Sequence, residues 1–482
     1  MTTAIIGGGA AGIAAAIAAA ERGQRVLVLE RNRKPLKKLG VTGNGRANVL
    51  NSGTPLYYGD EAFAKTVLAR VGYAELRAFF TSLGVPLREE TEGRLYPAAL
   101  QASVVVEALL LRAAQLGVEW ITGTRVDAIE HNGQGFTVRA TQTAPEADER
   151  KGGKASKAAA RGAQTAATSP LTLQADRVIV TVGGAAAPAH GTDGSAYGLL
   201  TAFGHRITTL KPALCALLTD PRRIAGLSGQ RVKAGLALLA PDGHTLHAAE
   251  GEVLFGDDAI SGIAAMQLAR FYQAGASLSM DLRPATGWVE NDAEPIAGTL
   301  PGKTFAVPAA DGARQSAGAS TNEVPSPEQT PIVKKAPDGA PEALTNTSLL
   351  KHLQALAALR RDCALGDLLT GTLAAPVARL LCREAKLGDP SMPVAQLRQN
   401  DLRRLAATLA ELRLPITATR GWDQAQVTAG GIETADFDPA TLESRLCKHL
   451  YAAGEVLNVD GDCGGFNLMF AFASGRLAGQ AE

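Results

Sequence analysis

Residues 4–30, AIIGGGAAGIAAAIAAAERGQRVLVLE, set an apolar run, a glycine-rich turn, an Ala-rich segment and a second apolar run in that order. Gly7, Gly9 and Gly12 make GxGxxG. The spacing alone is weak. It gains force here because it follows a strand-like run at 4–6, opens a helix and leads to a second strand at 26–29, which is the βαβ unit that binds dinucleotides. The glycines have separate tasks: Gly7 makes the tight turn, Gly9 lets the backbone approach a pyrophosphate, and Gly12 lets helix and strand pack closely. Ala10 begins the helix, whose amide end faces the phosphates. Glu30 closes the second strand, where a carboxylate accepts both hydroxyls of an adenosine ribose; this favours FAD or NAD over the 2′-phosphate of NADP. The first twenty residues carry no charge. Even so, an apolar helix over 10–20 is far shorter than the roughly 20 residues that cross a bilayer, and no basic segment precedes it, so neither a signal peptide nor a membrane span is expected.

The chain has 482 residues, 46% hydrophobic and 20% charged, enough for two or three globular domains. A net charge of +1 gives no overall electrostatic footprint for nucleic acid or an anionic membrane. The expected partner is therefore a small-molecule substrate, with nucleic acid disfavoured and no membrane; the sequence does not fix the oligomeric state. The five cysteines, Cys215, Cys363, Cys382, Cys447 and Cys463, show no CxxC and no metal spacing. They fit reduced thiols of a cytoplasmic protein, with neither a disulfide framework nor a metal site.

Two segments interrupt the globular pattern. Residues 141–170 contain no Val, Ile, Met or aromatic residue and no Leu, and read as a solvated insertion, a long hairpin loop between strands in a small β-meander. Residues 286–346 are rich in Pro, Gly, Ala and Ser and read as a linker. Between 191 and 285 short apolar runs predict a β-rich domain, and from 348 to about 412 the spacing of Leu349, Leu350, His352, Leu353, Leu356 and Leu359 predicts helices. The expected architecture is α/β: a discontinuous Rossmann-like domain over 1–190 and 413–482, interrupted by a β-rich substrate domain (191–285), which the family resemblance given below implies to be a β-barrel, by the linker and by a helical insert (347–412).

Further motifs point to a flavin. In KPLKKLGVTGNGRANVLN, residues 34–51, Thr42, Gly43, Asn44 and Gly45 make a tight loop flanked by Lys38, Arg46 and Asn48, suited to a pyrophosphate and a ribityl chain. With Arg31 these are candidate cofactor contacts. The run DRVIVTVGG, 176–184, reads as a buried strand ending at Thr181, Gly183 and Gly184. Residues 117–129 read as a strand pair in which the backbone of Val126 meets an adenine edge. The run HLYAAGEVLNVDGDCGGFNLMFAFASGRLAG, 449–479, is the most specific. Gly454 and Glu455 follow a strand and place a carboxylate for ribityl hydroxyls, with Asp460 beyond. Gly464 and Gly465 then open a helix through Phe466 and Asn467 whose positive end suits the flavin N1/O2 edge. Small residues Ala471, Ala473, Ser474 and Gly475 suit close packing of that helix.

With GGGAAG, LGVTGNGRANVLN, GRLYPAALQAS, VTVGGAAAP, AQVTAGGI and AGEVLNVDGDCGGFNL in place, the chain resembles the bacterial flavoproteins related to BaiN and YhiN, described as NAD(P)/FAD-dependent or aminoacetone-oxidase-like. The resemblance covers most of the chain outside the two interruptions. It implies a discontinuous FAD domain carrying a β-barrel and a helical insert. Ala47 stands where that family usually has Cys, Asp257 where it has His, Ile263 where it has Pro, and TDGSAY at 192–197 departs from its TGDGY.

The expected activity is an FAD-dependent oxidoreductase passing a hydride between a small organic substrate and the flavin. The cofactor performs the hard step while the protein orients it. No second GxGxxG follows a strand, so NAD(P)H, if it is the reductant, binds transiently. The resemblance leaves open reduction of an activated C=C bond and amine oxidation by O2. An RNA-modifying flavoprotein and a non-catalytic FAD-binding redox sensor are the alternatives of other classes. No Ser/His/Asp grouping is evident, no catalytic acid or base stands out, and Cys463 reads as a small spacer without a basic neighbour to lower its pKa.

Overall fold

The computed structural model of the chain describes residues 1–143, 167–288 and 345–481. It comprises two compact units, one of residues 1–215 and 419–482, the other of residues 216–418.

The first unit is built on a five-stranded parallel sheet in the order Leu450–Ala452, Arg177–Val180, Thr2–Ile6, Arg25–Glu30 and Glu119–Thr122. Its central strands are continuous apolar runs because both faces are covered. The helices Ala10–Glu21 and Phe466–Gln480 pack on each other across the sheet's first crossover. Small residues set how close they come: a Cβ at Gly475 would stand 2.2 Å from the Ala11 carbonyl oxygen, and one at Gly479 2.4 Å from that of Ala15. The two backbones therefore touch, as the Ala/Gly content of both helices requires.

Three sequence expectations change here. Residues 117–129 are not a strand pair: Glu119–Thr122 is the edge of the parallel sheet, and after Gly123, at φ +66°, Thr124–His131 leaves to join a three-stranded antiparallel sheet with Phe136–Thr143 and Thr168–Ala175. The turn at Gly123 redirects the chain before the two strands can face each other. The insertion begins later and ends earlier than its composition suggests, because 141–143 and 168–170 pair as rungs of that hairpin; residues 144–166 lie outside the described residues. Residues 191–215 lie in the first unit, with Lys211–Ala213 pairing antiparallel with Val427–Ala429.

The second unit holds a closed six-stranded barrel of Leu217–Thr219, Ala259–Ser261, Thr245–Phe255, Arg231–Leu239, Ser277–Asp281 and Leu412–Thr419. The last strand, expected to open the return to the first domain, closes the barrel instead. Leu412, Leu414 and Ile416 alternate with exposed neighbours and need one buried face, which the barrel interior supplies beside Ser277–Asp281. Helices Asn346–Leu359, Ala375–Glu384 and Gln399–Ala410 complete the unit. Of the expected helical stripe, Leu349, His352, Leu353 and Leu356 are buried while Leu359 is exposed. Most of the expected linker, 289–344, lies outside the described residues. Among the described residues no helix is long and apolar enough to cross a membrane, and no group of His, Cys, Asp or Glu is placed to hold a metal ion.

A Ser/His/Asp alignment does exist in the first unit. His205 Nε2 lies 2.9 Å from Ser444 Oγ, its Nδ1 lies 3.9 Å from Asp436, and its ring stacks on Phe437 at 4.4 Å. It is a structural tie: Ser444 is buried and its Oγ already accepts N–H bonds from Leu446 and Cys447, both at 3.1 Å. Burial holds the His205 pKa below its ordinary value, against the pull of Asp436. The unfolded chain therefore takes up this proton first as pH falls. The stability His205 confers is whole above its unfolded pKa, about 6.5, and is lost as pH drops toward the folded value, with a slope of at most about 1.4 kcal/mol per pH unit. Urea midpoints measured from pH 8 to 5 should fall less steeply in His205→Phe than in the parent; parallel slopes would show that another group governs acid sensitivity.

Candidate cofactor site

The first turn is over-determined by its glycines. Gly7 has φ +104° and donates its N–H to Leu29 at 2.8 Å; a Cβ there would lie 2.6 Å from the Thr181 carbonyl oxygen. A Cβ on Gly12 would lie 2.0 Å from the Gly7 carbonyl oxygen, so helix and turn are in backbone contact. Gly9, which caps the helix begun by Ala10, differs: a Cβ there meets none of the described residues within 4 Å. The space before the helix's free N–H groups is open, as a bound phosphate requires. Thr181 lies beneath the turn, donating to the Gly7 and Ile6 carbonyls at 2.8 and 3.0 Å.

Glu30, 7% exposed, accepts from Gly8 N–H at 2.7 Å and from Asn32, through both its backbone N–H and side-chain amide, at 2.7 Å. These bonds fix the carboxylate at the end of the second strand. Asn32 is a positioning residue that the motif did not single out. Arg31 turns away into a two-bonded pair with Asp193 at 2.8 and 3.0 Å, which holds the Asp193 carboxyl well below the usual carboxylate range. Val126 is half-buried on the antiparallel sheet opposite Ala140, at a bulge.

A second cluster forms around Glu455. Its carboxylate takes Lys38 Nζ at 2.8 Å on one oxygen and the Thr428 N–H at 2.8 Å on the other. A Cβ on Gly184 would stand 2.2 Å from Thr428 Oγ1 and 2.9 Å from Glu455, so only glycine lets the chain pass. Gly183 turns beside Thr192. Thr428 Oγ1 in turn accepts from the N–H groups of Ala185 and Ala186 at 2.8 and 3.0 Å. This threonine sits in AQVTAGGI, which carried the resemblance without being read as a site residue.

The loop over 37–48 begins as a helix and breaks. Thr42 is extended, its hydroxyl donating to the Lys38 carbonyl at 2.8 Å, and Gly43, Asn44, Gly45 and Ala47 all have φ between +55° and +78°. The loop leads to Asn48, 8% exposed, whose Oδ1 is buried without a hydrogen-bond partner among the described residues and would lie 2.8 Å from a Cβ on Gly465. Gly465 caps the helix Phe466–Gln480 at φ +101°. Loop and helix N-terminus, which the sequence separates by more than four hundred residues, thus meet around one unsatisfied acceptor. Arg46 leaves this centre for an ion pair with Glu90 at 2.7 Å, its guanidinium 4.4 Å above the Tyr96 ring.

The remaining C-terminal candidates support rather than line the space. Asn467 clamps the preceding turn through Gly461 N–H and carbonyl, each at 2.8 Å, and Phe466 meets Tyr57 edge-on at 6.3 Å. Asp460 is buried on the short strand Val459–Gly461 paired with Tyr57–Gly59. Gly454 lies against Ala11. Cys463 does have a basic neighbour, Arg94, which draws its thiol pKa down, but burial outweighs this and pushes it above the ordinary value. A protonated thiol is a poor nucleophile. Cys463→Ser should retain FAD and reduce its flavin within about twofold of the parent rate; a loss of about a hundredfold with FAD still bound would make the thiol part of the chemistry.

The pieces fit FAD on three observations: open space at Gly9, a fixed carboxylate at Glu30, and a buried acceptor at Asn48 beside a helix N-terminus. Comparison with known proteins agrees. The HI0933-like protein Rossmann domain family matches residues 1–151 and 153–481. A 3-dehydro-bile acid delta(4,6)-reductase from Clostridium scindens is 31% identical over 484 residues, covering 99% of this chain and 98% of that one. Ribosomal RNA dihydrouridine synthases are also similar: that of Escherichia coli at 25% identity, covering 99% and 96%, and that of Haemophilus influenzae at 22%, covering 98% and 95%.

Proposed function

The chain belongs to the HI0933-like Rossmann family and is an FAD-dependent oxidoreductase, and from that premise we propose that it reduces a carbon–carbon double bond conjugated to a carbonyl in a small organic substrate. The observation that carries the reading is the full-length likeness to a reductase whose name places its double bonds beside an oxidised C3. FAD, when bound and reduced by NAD(P)H, would supply the hydride. The protein's part is to hold the cofactor and steady the charge that hydride transfer creates.

We assign the ends of the cofactor as follows. Gly7, Gly9, Ala10 and Gly12 present the first turn to the pyrophosphate, and Glu30, fixed by Gly8 and Asn32, takes the adenosine ribose. Lys38 and Glu455 form one charge-balanced pair on the polyhydroxyl chain side. Asn48 Oδ1 would accept from an N–H of the flavin, and the N–H groups opened by Gly464 and Gly465 would steady the negative charge of the reduced ring. Thr181 and Asn467 act through the backbone they hold, Arg31 through the Asp193 carboxylate and Phe466 through its contact with Tyr57. NAD(P)H is the transient reductant in this reading.

The test is anaerobic. NADPH should bleach the flavin, and a steroid enone should restore its colour in stoichiometric amount. Bleaching by a primary amine, with colour returning only on admission of O2, would replace the reading by the oxidase one. The dihydrouridine synthases favour a second substrate for the same bond chemistry, the uracil ring of RNA, which has its double bond conjugated to a carbonyl. Reoxidation by a uridine-containing oligoribonucleotide, and none by the enone, would select it.

A further inference from the structure

The second unit contains a cavity of about 470 Å³ between the helix Ala375–Glu384, the turn after it and the residues around Ala225. Its volume lies within the range of about 300–1,000 Å³ usual for small-molecule sites. Three cations line it, Arg379, Arg383 and Lys386, and among the described residues no acidic one does. Arg379 and Arg383 are one turn apart on the helix, and Lys386 stands just past its end.

The cations differ in how they are held. Arg383 is fixed: it donates to the Arg223 carbonyl at 2.6 Å and lies 3.6 Å from Glu384, which also pairs with Arg223 at 2.6 Å. The side chains of Arg379 and Lys386 make no hydrogen bond or ion pair with any described residue. Lys386 has φ +54° at the position after the helix's C-cap, where its N–H bonds back to Arg383 at 3.0 Å. Glycine is the usual occupant of that position. Arg404 braces the turn from outside through the carbonyls of Ala385 and Lys386, at 3.0 and 3.3 Å. Leu380, Leu387 and Ala225 supply apolar lining beside this charge.

Basic residues at a helix C-terminus also complement its dipole, which is the bland account of Arg383. It leaves unexplained why two more cations converge on a cavity without a carboxylate to meet them. We propose that this cavity binds a nucleoside phosphate, its phosphates held by Arg379, Arg383 and Lys386 and its ring laid on the apolar lining of Leu380, Leu387 and Ala225. The pairing of an apolar surface with a few convergent charges is what such ligands require. The proposal stands on the second unit alone and does not rest on the reaction assigned to the flavin.

The experiment is calorimetric titration of the FAD-saturated full chain with ADP, so that the dinucleotide site is already filled, with adenosine and pyrophosphate as comparison probes. The variant is Arg379→Gln with Lys386→Gly. Glycine suits the backbone at 386, so the variant should keep its melting temperature, which is measured alongside. ADP should bind the parent, at least about tenfold more weakly to the variant, and more tightly than either fragment probe. Absence of ADP binding to the parent, equal affinity in a folded variant, or pyrophosphate binding as tightly as ADP would each overturn the proposal.

Discussion

Gly9→Val yields a folded protein that purifies without FAD. A Cβ at Gly9 meets none of the described residues within 4 Å, so valine costs the fold little, yet its branches would occupy the open space that the proposed pyrophosphate site needs before the helix N-terminus. FAD affinity should fall by at least about a hundredfold, ~2.7 kcal/mol, with the melting temperature of the apo form unchanged. Gly12→Val should behave differently. Its Cβ would stand 2.0 Å from the Gly7 carbonyl oxygen, and neither backbone has room to yield, so this variant should be recovered unfolded or aggregated. The absorbance ratio of flavin to protein and the melting curve separate the two outcomes. Stoichiometric FAD in Gly9→Val would sink the assignment of the first turn, and a stable, yellow Gly12→Val would sink the packing argument.

The contrast also shows where local sequence is sufficient. The βαβ unit over 2–30 is legible because each requirement is local: a glycine at +104°, a glycine in backbone contact, and a carboxylate at a strand end, all within 30 residues. The β-rich character of the second unit's strands is legible from their short apolar runs, whereas the barrel came only with the family resemblance and its closure not at all. Nothing within Leu412–Thr419 says that its partner is Ser277–Asp281 rather than a strand of the first unit; the alternation of Leu412, Leu414 and Ile416 fixes that one face is buried, not against what.

Site residues divide in the same way. Glycines that permit a close approach were readable from spacing. Polar residues whose meaning lies in a distant partner were not. Arg31 looks like a phosphate ligand until Asp193 takes both arms of its guanidinium, and Arg46 looks like one until Glu90 and Tyr96 hold it. Thr428 and Asn32 carried no signal because each works by supporting a neighbour, Thr428 under Ala185 and Ala186, Asn32 beside Glu30. Asn48 was singled out for its loop, but the reason it matters, an acceptor left without a donor next to Gly465, depends on a segment at the other end of the chain.

Arg177 is the extreme case, and Arg177→Met should be the most destabilising single substitution outside the glycines of the first turn. The run DRVIV reads as a buried strand without any sign of what its arginine meets, and this side chain is 0% exposed. Its partners come from the chain's end: the guanidinium donates to the carbonyls of Ala481 at 2.8 Å and Ala478 at 3.0 Å, and to Gln24 at 3.2 Å, while lying 4.4 Å above the Tyr451 ring. These carbonyls belong to the last turn and the C-cap of the helix Phe466–Gln480, so Arg177 caps that helix at its C-terminal end and complements its dipole. Burial lowers its pKa, but the ordinary value is so high that the charge persists at neutral pH. Methionine fills most of the volume and leaves both carbonyls without this donor, that of Ala478 in a buried place and that of Ala481 in a half-buried one. The expected cost is about 3–5 kcal/mol, which lowers the melting temperature by roughly 10 °C in a unit of this size. Arg177→Lys keeps the charge but not the fork, and should recover part of the loss because one ammonium cannot serve both carbonyls and the ring. A shift within about 2 °C for the methionine variant would mean that the C-terminal turn frays at little cost and that the helix is held by its glycine contacts to Ala11 and Ala15 alone.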